Sequence, residues 1–262
     1  MNPPAGTSPA PTARPVWLRE FHGTPDDESA PMVVICPHAG TGASSYRELS
    51  GHFSRSTAPV VVQYPGRQDR RTETPAQDVR ELAAGTALEL VSRDEHRPLI
   101  LFGHSMGGIV AFETARALEK LGLTVHLLAV SAVVPPGEVT AQPRHPTDDD
   151  DIITRLIELG GTDRSVHQNP EMMALTLPVL KSDYAMIDSY SCSPDTRVSC
   201  PIVVLGGDRD PVVSPAQLRR WAAHGASAVS PRLFDGSHFY INDNREAVVA
   251  ATLQAYGDLG PS

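Results

Sequence analysis

The stretch LILFGHSMGGIVAFE, residues 99–113, sets one hydroxyl, that of Ser105, between Gly103 and Gly107 where an apolar run gives way to an amphipathic one. A sharp strand-to-helix turn needs backbone conformations and close approaches that favour glycine, and it lifts the serine out at the carboxyl end of the strand. The helix after it, expected from about Gly108 to Lys120 and closed at Gly122, brings a positive N-terminus beneath the hydroxyl. Ser105 is therefore read as a nucleophile rather than a simple helix cap.

A serine hydroxyl is weakly nucleophilic at neutral pH and needs a general base, which in turn needs an orienting acid. His238 lies in LFDGSHFY, a loop after the last apolar run, where an imidazole could overhang Ser105; none of the other nine of the ten histidines follows a late strand in this way. The segment PIVVLGGDRDPVV places Asp208 and Asp210 just past a strand end, and either carboxylate could hold the imidazole in its working tautomer. Asp210, one step further into the loop, is taken as the acid, with Asp208 as a turn former. The chain order Ser105, Asp210, His238 is that of the α/β-hydrolases and not of the chymotrypsin or subtilisin types.

Attack on an acyl group creates an oxyanion that needs donors already aimed at it. The N–H of Met106, next to the nucleophile, is the first candidate. The second is the N–H of Ala39, in CPHAGTGASSY after an early apolar run. The same loop has Gly40 and Gly42 spaced as in a dinucleotide-binding turn, but Ser45 replaces the third glycine and Gln63 and Tyr64 stand where an acidic residue would end the next strand. No cofactor is expected. Dispersed histidines without H-E-x-x-H or paired cysteine spacing give no reason to expect a metal.

The elements that must carry these groups read as alternating α/β. Apolar runs at 32–36, 60–64, 99–102, 125–131 and 201–206 are near-continuous, as strands covered on both faces should be. A helical pattern over 76–93 makes the second crossover between parallel strands. From about Val134 to Tyr190 no comparable strand occurs. Two helices are expected there, one with Thr147 and the following aspartates at its start and Gly160 at its close, the next with Asn169 as cap and Pro170 in its first turn.

At 262 residues the chain suits one large α/β domain, expected over 16–262 with a helical insertion at about 134–190. The proline-rich stretch 1–15 is expected to be a disordered tail and not a secretory signal. The longest apolar runs fall far short of a membrane span. Three cysteines, Cys36, Cys192 and Cys200, suggest no disulfide framework, so a reducing cytoplasm is expected, with Cys36 a buried residue rather than a reactive one. A net charge of −9, from 31 acidic and 22 basic residues, argues against nucleic acid as a partner. Arg67, Arg70 and Arg71 in YPGRQDRR read either as contacts for an anionic partner or as solvated loop residues, and Met172, Met173 and Met186 either as adaptable pocket lining or as ordinary core.

With these residues in view, the chain resembles the type II thioesterases that serve polyketide synthases and nonribosomal peptide synthetases. PHAGTG, QYPGRQDR, GHSMGG, LPVLKSDYAMIDSYSC, GGDRDP and GSHFYIND carry the likeness, in order, from about Met32 to Asn244. The resemblance implies an α/β-hydrolase fold, a mostly parallel sheet flanked by helices with a helical lid. It further implies hydrolysis of acyl thioesters on the phosphopantetheine arm of acyl or peptidyl carrier proteins. Ser105, Asp210 and His238 match the family's triad, and Ala39 and Met106 its oxyanion hole. One departure is that Thr41 separates Gly40 and Gly42, where the family commonly has adjacent glycines. Small acyl groups are the expected substrates, a carrier protein the expected partner, and a monomer the expected state. A chain-terminating thioesterase or general acyl-CoA thioesterase or carboxylesterase would use the same triad. A carrier-binding module that had lost activity would not need one.

Overall fold

The five apolar runs become the centre of a seven-stranded sheet because their side chains alternate between two separate cores. A computed structural model describes residues 17–25, 27–93, 96–160, 169–226 and 230–260; the expected tail at 1–15 lies outside them. The strands are β1 (Leu18–Arg19), β2 (Met32–Cys36), β3 (Ala58–Val62), β4 (Leu99–His104), β5 (Leu127–Ser131), β6 (Ile202–Gly207) and β7 (Arg232–Phe234), in the spatial order β1-β3-β2-β4-β5-β6-β7. All neighbours are parallel except β1 against β3. Val34, Cys36, Leu99 and Leu101 point into one core, and Val33, Ile35, Ile100 and Phe102 into the other. Burial on both faces is why these strands read as unbroken apolar runs.

Helices α1 (Arg47–Phe53), α2 (Val79–Ser92) and α3 (Met106–Lys120) follow β2, β3 and β4 in turn. Leu49 and Phe53 of α1 pack on one face of the sheet, and Leu82 of α2 with Ile109 and Phe112 of α3 on the other. The chain thus leaves adjacent strands β2 and β4 towards opposite faces. A crevice opens between their carboxyl ends at such a switch point, and in open α/β sheets that is where ligands bind.

Beyond β5 a 3₁₀ turn, Pro136–Ala141, leads to α4 (Asp149–Leu159) and α5 (Pro170–Ser189) before β6; α6 (Pro215–Arg219) and α7 (Arg245–Gly257) complete the chain. The cap of α4 is the Asp148 side chain, which accepts from Asp150 N–H, and Gly160 ends the helix at φ 68°. Asn169 accepts from the N–H groups of Glu171 and Met172 at the start of α5, and Pro170 occupies its first turn. Ile152, Leu156, Met173, Leu180 and Tyr184 form a small core shared by α4 and α5. These two helices lie between β5 and β6, within the stretch 134–190 where an insertion is expected. Among the described residues no helix is long and apolar enough to cross a membrane.

The runs expected at 60–64 and 125–131 are shifted: β3 is Ala58–Val62 and β5 is Leu127–Ser131. Pro59 is tolerated in β3 because β1 covers only Val61 and Val62, leaving that side of the strand open at Pro59. Strands β1 and β7, two and three residues long, have no apolar run and were not anticipated.

The turn between β4 and α3 leaves no room for a side chain at its glycines. A Cβ on Gly107 would lie 2.0 Å from the Cys36 carbonyl oxygen and 2.7 Å from that of Pro37. Gly107→Ala is therefore expected to destabilise the protein by about 3 kcal/mol. Gly257→Ala, at the open end of α7 where nothing lies within 4 Å, should shift stability by less than about 1 kcal/mol. Denaturant midpoints of the two variants check the contrast.

Candidate active site

Ser105 sits between β4 and α3 at φ 55° and ψ −128°, a conformation that costs a non-glycine residue about 1–3 kcal/mol and persists only where its surroundings impose it. The surroundings are specific: Ser105 N–H donates to the Ser131 carbonyl of β5 at 2.8 Å, and the Ser105 carbonyl accepts from Gly108 N–H at 2.8 Å. The hydroxyl is left at the crevice, at the N-terminus of a 15-residue helix.

The structure brings the three predicted side chains into one line. His238 Nε2 lies 3.0 Å from Ser105 Oγ, and His238 Nδ1 lies 2.9 Å from Asp210 Oδ2. The other Asp210 oxygen accepts from the N–H groups of Val212 at 2.7 Å and Val213 at 3.2 Å, which fixes the carboxylate. Both side chains are buried, His238 at 5% exposure and Asp210 at 1%, so the pair works away from solvent screening. Asp208 takes no part: its carboxylate accepts from Gly236 N–H at 2.9 Å and thereby shapes the loop that carries His238.

Ala39 and Met106 line the same cavity as Ser105 and His238, a space of about 360 Å³ closed on the far side by Tyr184 and Ile187 of α5 and by Val212 and Val213 after β6. Arg144, Arg155 and the His145–Asp188 pair supply its polar part. His145 is held by Asp188 through both its N–H, at 3.0 Å, and its Nδ1, at 2.6 Å, and it stacks on Tyr184 at 4.1 Å between ring centroids. His145 and Asp188 carry no local signal in the sequence, because they lie 43 positions apart.

Behind His238 lie two more imidazoles. The ring centroid of His104 is 5.4 Å from that of His238, and that of His38 is 5.8 Å from His104. His104 Nδ1 meets Ser131 Oγ at 2.8 Å, which meets Tyr240 Oη at 2.7 Å; His38 Nδ1 meets Tyr46 Oη at 2.6 Å. Burial, and then the nearby His238 charge, push His38 down from 6.5 to about 3 and His104 well below its ordinary value. Cys36 behind the oxyanion loop is buried and its thiol pushed up to about 12 by desolvation, which suppresses the thiolate.

Burial decides two readings of flanking residues. Arg67 and Arg70 are neither partner contacts nor solvated: Arg67 is buried in a two-point pair with Asp183 at 2.7 Å and 2.7 Å, and Arg70 pairs with Glu73 at 2.6 Å and covers the Trp17 ring at 4.4 Å. Arg71 alone of the three is exposed. Met172, Met173 and Met186 are not among the residues lining the cavity: Met173 and Met186 are core, and Met172 is 45% exposed.

The thioesterase-domain family model matches residues 31–255, which includes Ala39, Ser105, Met106, Asp210 and His238. The chain is 38% identical over 239 residues to a probable cadicidin biosynthesis thioesterase of Streptomyces griseus, covering 91% of this chain and 65% of that one. It is 38% identical over 244 residues to the phenyloxazoline synthase MbtB of Mycobacterium tuberculosis, of which it spans 17% while 92% of this chain is covered. The solved structure of BorB, a type II thioesterase from the borrelidin biosynthetic cluster, superposes with a TM-score of 0.82 at 34% identity, over 94% of this chain and 99% of that one. The fold is thus the α/β-hydrolase fold, and the chain belongs to the thioesterase-domain family.

Proposed function

We propose that the protein is a type II, editing thioesterase. It hydrolyses acyl thioesters from the phosphopantetheine arm of acyl or peptidyl carrier proteins in polyketide or nonribosomal peptide biosynthesis. The observation that carries this reading is the unbroken relay Asp210–His238–Ser105, at 2.9 Å and 3.0 Å, opening into a cavity in a chain of the thioesterase-domain family. The 34% identity to BorB, a type II thioesterase, favours this reading over a chain-terminating thioesterase.

The chemistry follows from the geometry. His238 Nε2 accepts the Ser105 hydroxyl proton as Oγ adds to the thioester carbonyl carbon. Asp210 accepts the Nδ1–H bond and stabilises the imidazolium that forms. The N–H groups of Ala39 and Met106 donate to the carbonyl oxygen as it becomes an oxyanion, and each such donor is worth about 3 kcal/mol. The tetrahedral adduct collapses, the carbon–sulfur bond breaks, and His238 returns the proton to the departing thiol. Water, deprotonated by the same imidazole, then releases the acid from Ser105. The helices α4 and α5 serve as the lid that keeps bulk water from the acyl-serine.

The two imidazoles behind the base have a part in this. A charged His104 or His38 so close to His238 would oppose the imidazolium that the reaction requires. Held neutral by burial, they leave that charge unopposed while still packing the ring.

Ser105→Ala should lower hydrolysis of an acyl carrier-protein thioester at least about a thousandfold, measured by release of the carrier thiol. Full retention of activity would remove Ser105 from its role, and a strong preference of the native protein for nitrophenyl esters would mark a general carboxylesterase instead.

Asp210→Asn, which leaves the imidazole with the wrong tautomer, should lower kcat about 10³–10⁴-fold. Asp208→Asn should change kcat less than about tenfold, because its carboxylate meets the Gly236 N–H and the Arg209 side chain and not His238. Steady-state rates on one thioester compare them, and the reverse order would transfer the role of acid.

The buried imidazoles also make stability depend on pH. Their folded pKa lies below the unfolded value of 6.5, so below that value the unfolded chain binds protons that the folded one refuses. Stability should therefore fall on acidification, by about 1 kcal/mol per imidazole between pH 7 and pH 5.5. Urea unfolding of His104→Asn at the two pH values should show a smaller loss than the native chain; an equal loss would contradict the assignment.

A further inference from the structure

The loop that carries Ala39 is held by a helix 140 residues further along the chain. Gly40 N–H donates to Asp183 Oδ2 at 2.8 Å, across 143 positions, and the same oxygen accepts from Arg67 at 2.7 Å. Arg67 completes the grip by donating to Asp183 Oδ1 at 2.7 Å and to the Thr41 carbonyl at 3.1 Å. Its guanidinium lies over the Tyr64 ring at 5.1 Å, and Tyr64 in turn donates to the Pro37 carbonyl at 3.2 Å. On the other side of Ala39, His38 N–H donates to Tyr46 Oη at 3.3 Å. The amides on both sides of Ala39 are thereby anchored, one to the sheet domain and one to α5. Leu180, one turn before Asp183, sits where a side chain on Gly40 would be, 2.9 Å from the ideal Cβ position, and Gly40 has φ +79°. Ala39 itself packs against the core shared by α4 and α5.

We propose that Asp183 and Arg67 are positioning residues that set the oxyanion donor of Ala39 through Gly40, and that they complete the oxyanion hole only while α5 is seated on the loop. Stability alone is a poor reason for the pair. Two charges exposed only 5% and 2% have lost their hydration, and apolar side chains of the same size stabilise such a site as well or better. What an ion pair supplies and an apolar pair does not is direction: one carboxylate oxygen faces both a guanidinium and the Gly40 amide. Lifting α5 removes that oxygen from both donors at once, so substrate access and oxyanion stabilisation alternate instead of coexisting. The inference rests on the thioesterase reading above, in which Ala39 N–H is a donor.

Asp183→Asn removes the charge but strands the buried Arg67, so the decisive variant is the double one, Arg67→Met with Asp183→Leu, which leaves no unpaired charge. Three quantities are measured on one carrier-bound acyl thioester: kcat, KM, and the affinity of butylboronic acid, which forms a tetrahedral adduct on a serine nucleophile. The expected result is a kcat about 10–100-fold lower, KM within about threefold, and boronate affinity reduced by about the same factor as kcat. A purely structural pair would change the unfolding temperature and leave kcat and boronate affinity as in the native chain, and that outcome overturns the proposal. Should the double variant not fold, hydrogen exchange on the native protein decides: segments 37–43 and 176–187 should gain protection together when butylboronic acid binds, and independent responses overturn it. Ser105→Ala keeps the two ideas apart. If it stays active, the thioesterase reading fails; if it is inactive while the double variant behaves as native, only the positioning role fails.

Discussion

The backbone of Ser105 is held in a conformation that this residue would not choose, and the rest of the site is arranged around keeping it there. Three things enforce it: the bond from its N–H to the Ser131 carbonyl of β5 at 2.8 Å, the helix that begins immediately after it, and glycines on either side packed against neighbouring backbone. A Cβ on Gly103 would lie 2.0 Å from the Gly107 carbonyl oxygen, so the turn closes on itself without room for side chains. In exchange the hydroxyl stands clear of the sheet at a helix N-terminus, where neither a strand nor a helix interior could have exposed it. Strain of this kind is tolerated because two cores, one on each face of the sheet, clamp β4 in register between β2 and β5.

The same clamp places the partners. Asp210 and His238 follow adjacent strands β6 and β7, and a close approach of the His238 loop over β6 is possible because residue 207 is glycine; a Cβ there would lie 2.3 Å from the Ser237 carbonyl oxygen. Two N–H bonds hold the acid before it ever meets the imidazole. The histidine therefore inherits its position from the sheet, through short loops, rather than from its own flexibility.

Much of this architecture is legible in the sequence, and what is not legible has a common cause. The central strands announce themselves because burial on both faces leaves no polar residue to interrupt them, and the nucleophile turn because its glycines are sterically required. Which of Asp208 and Asp210 faces His238 is a matter of two residues in a loop, and it is Asp210, whose other oxygen the N–H groups of Val212 and Val213 reach. The edge strands escape detection because a pair of residues such as Leu18 and Arg19 is too short to show a period. Arg67 and Arg70 look like surface residues because the groups that neutralise them are supplied by folding: Asp183 is 116 positions from Arg67. Met172 and Met173 are neighbours with opposite fates, one exposed and one buried, since successive positions on a helix point about 100° apart. Local pattern carries local geometry; a contact closed by a long loop leaves no trace in it.

The position of α4 and α5 between β5 and β6 has a consequence for how such a protein can diversify. The register of β5 on β6, with Ser131 opposite Leu205, is set by the sheet alone and is indifferent to how many residues intervene. The covering helices can accordingly be lengthened, shortened or recomposed while the chemical groups beneath them keep their spacing. Among the described residues that freedom is bounded where Asp183 of α5 grips Gly40 and Arg67, where Met186 and Ile187 enter the sheet core, and where Tyr190 donates to Glu113 of α3 at 2.7 Å. The roof of the chamber can therefore change while the floor keeps its spacing, provided those few anchoring contacts survive.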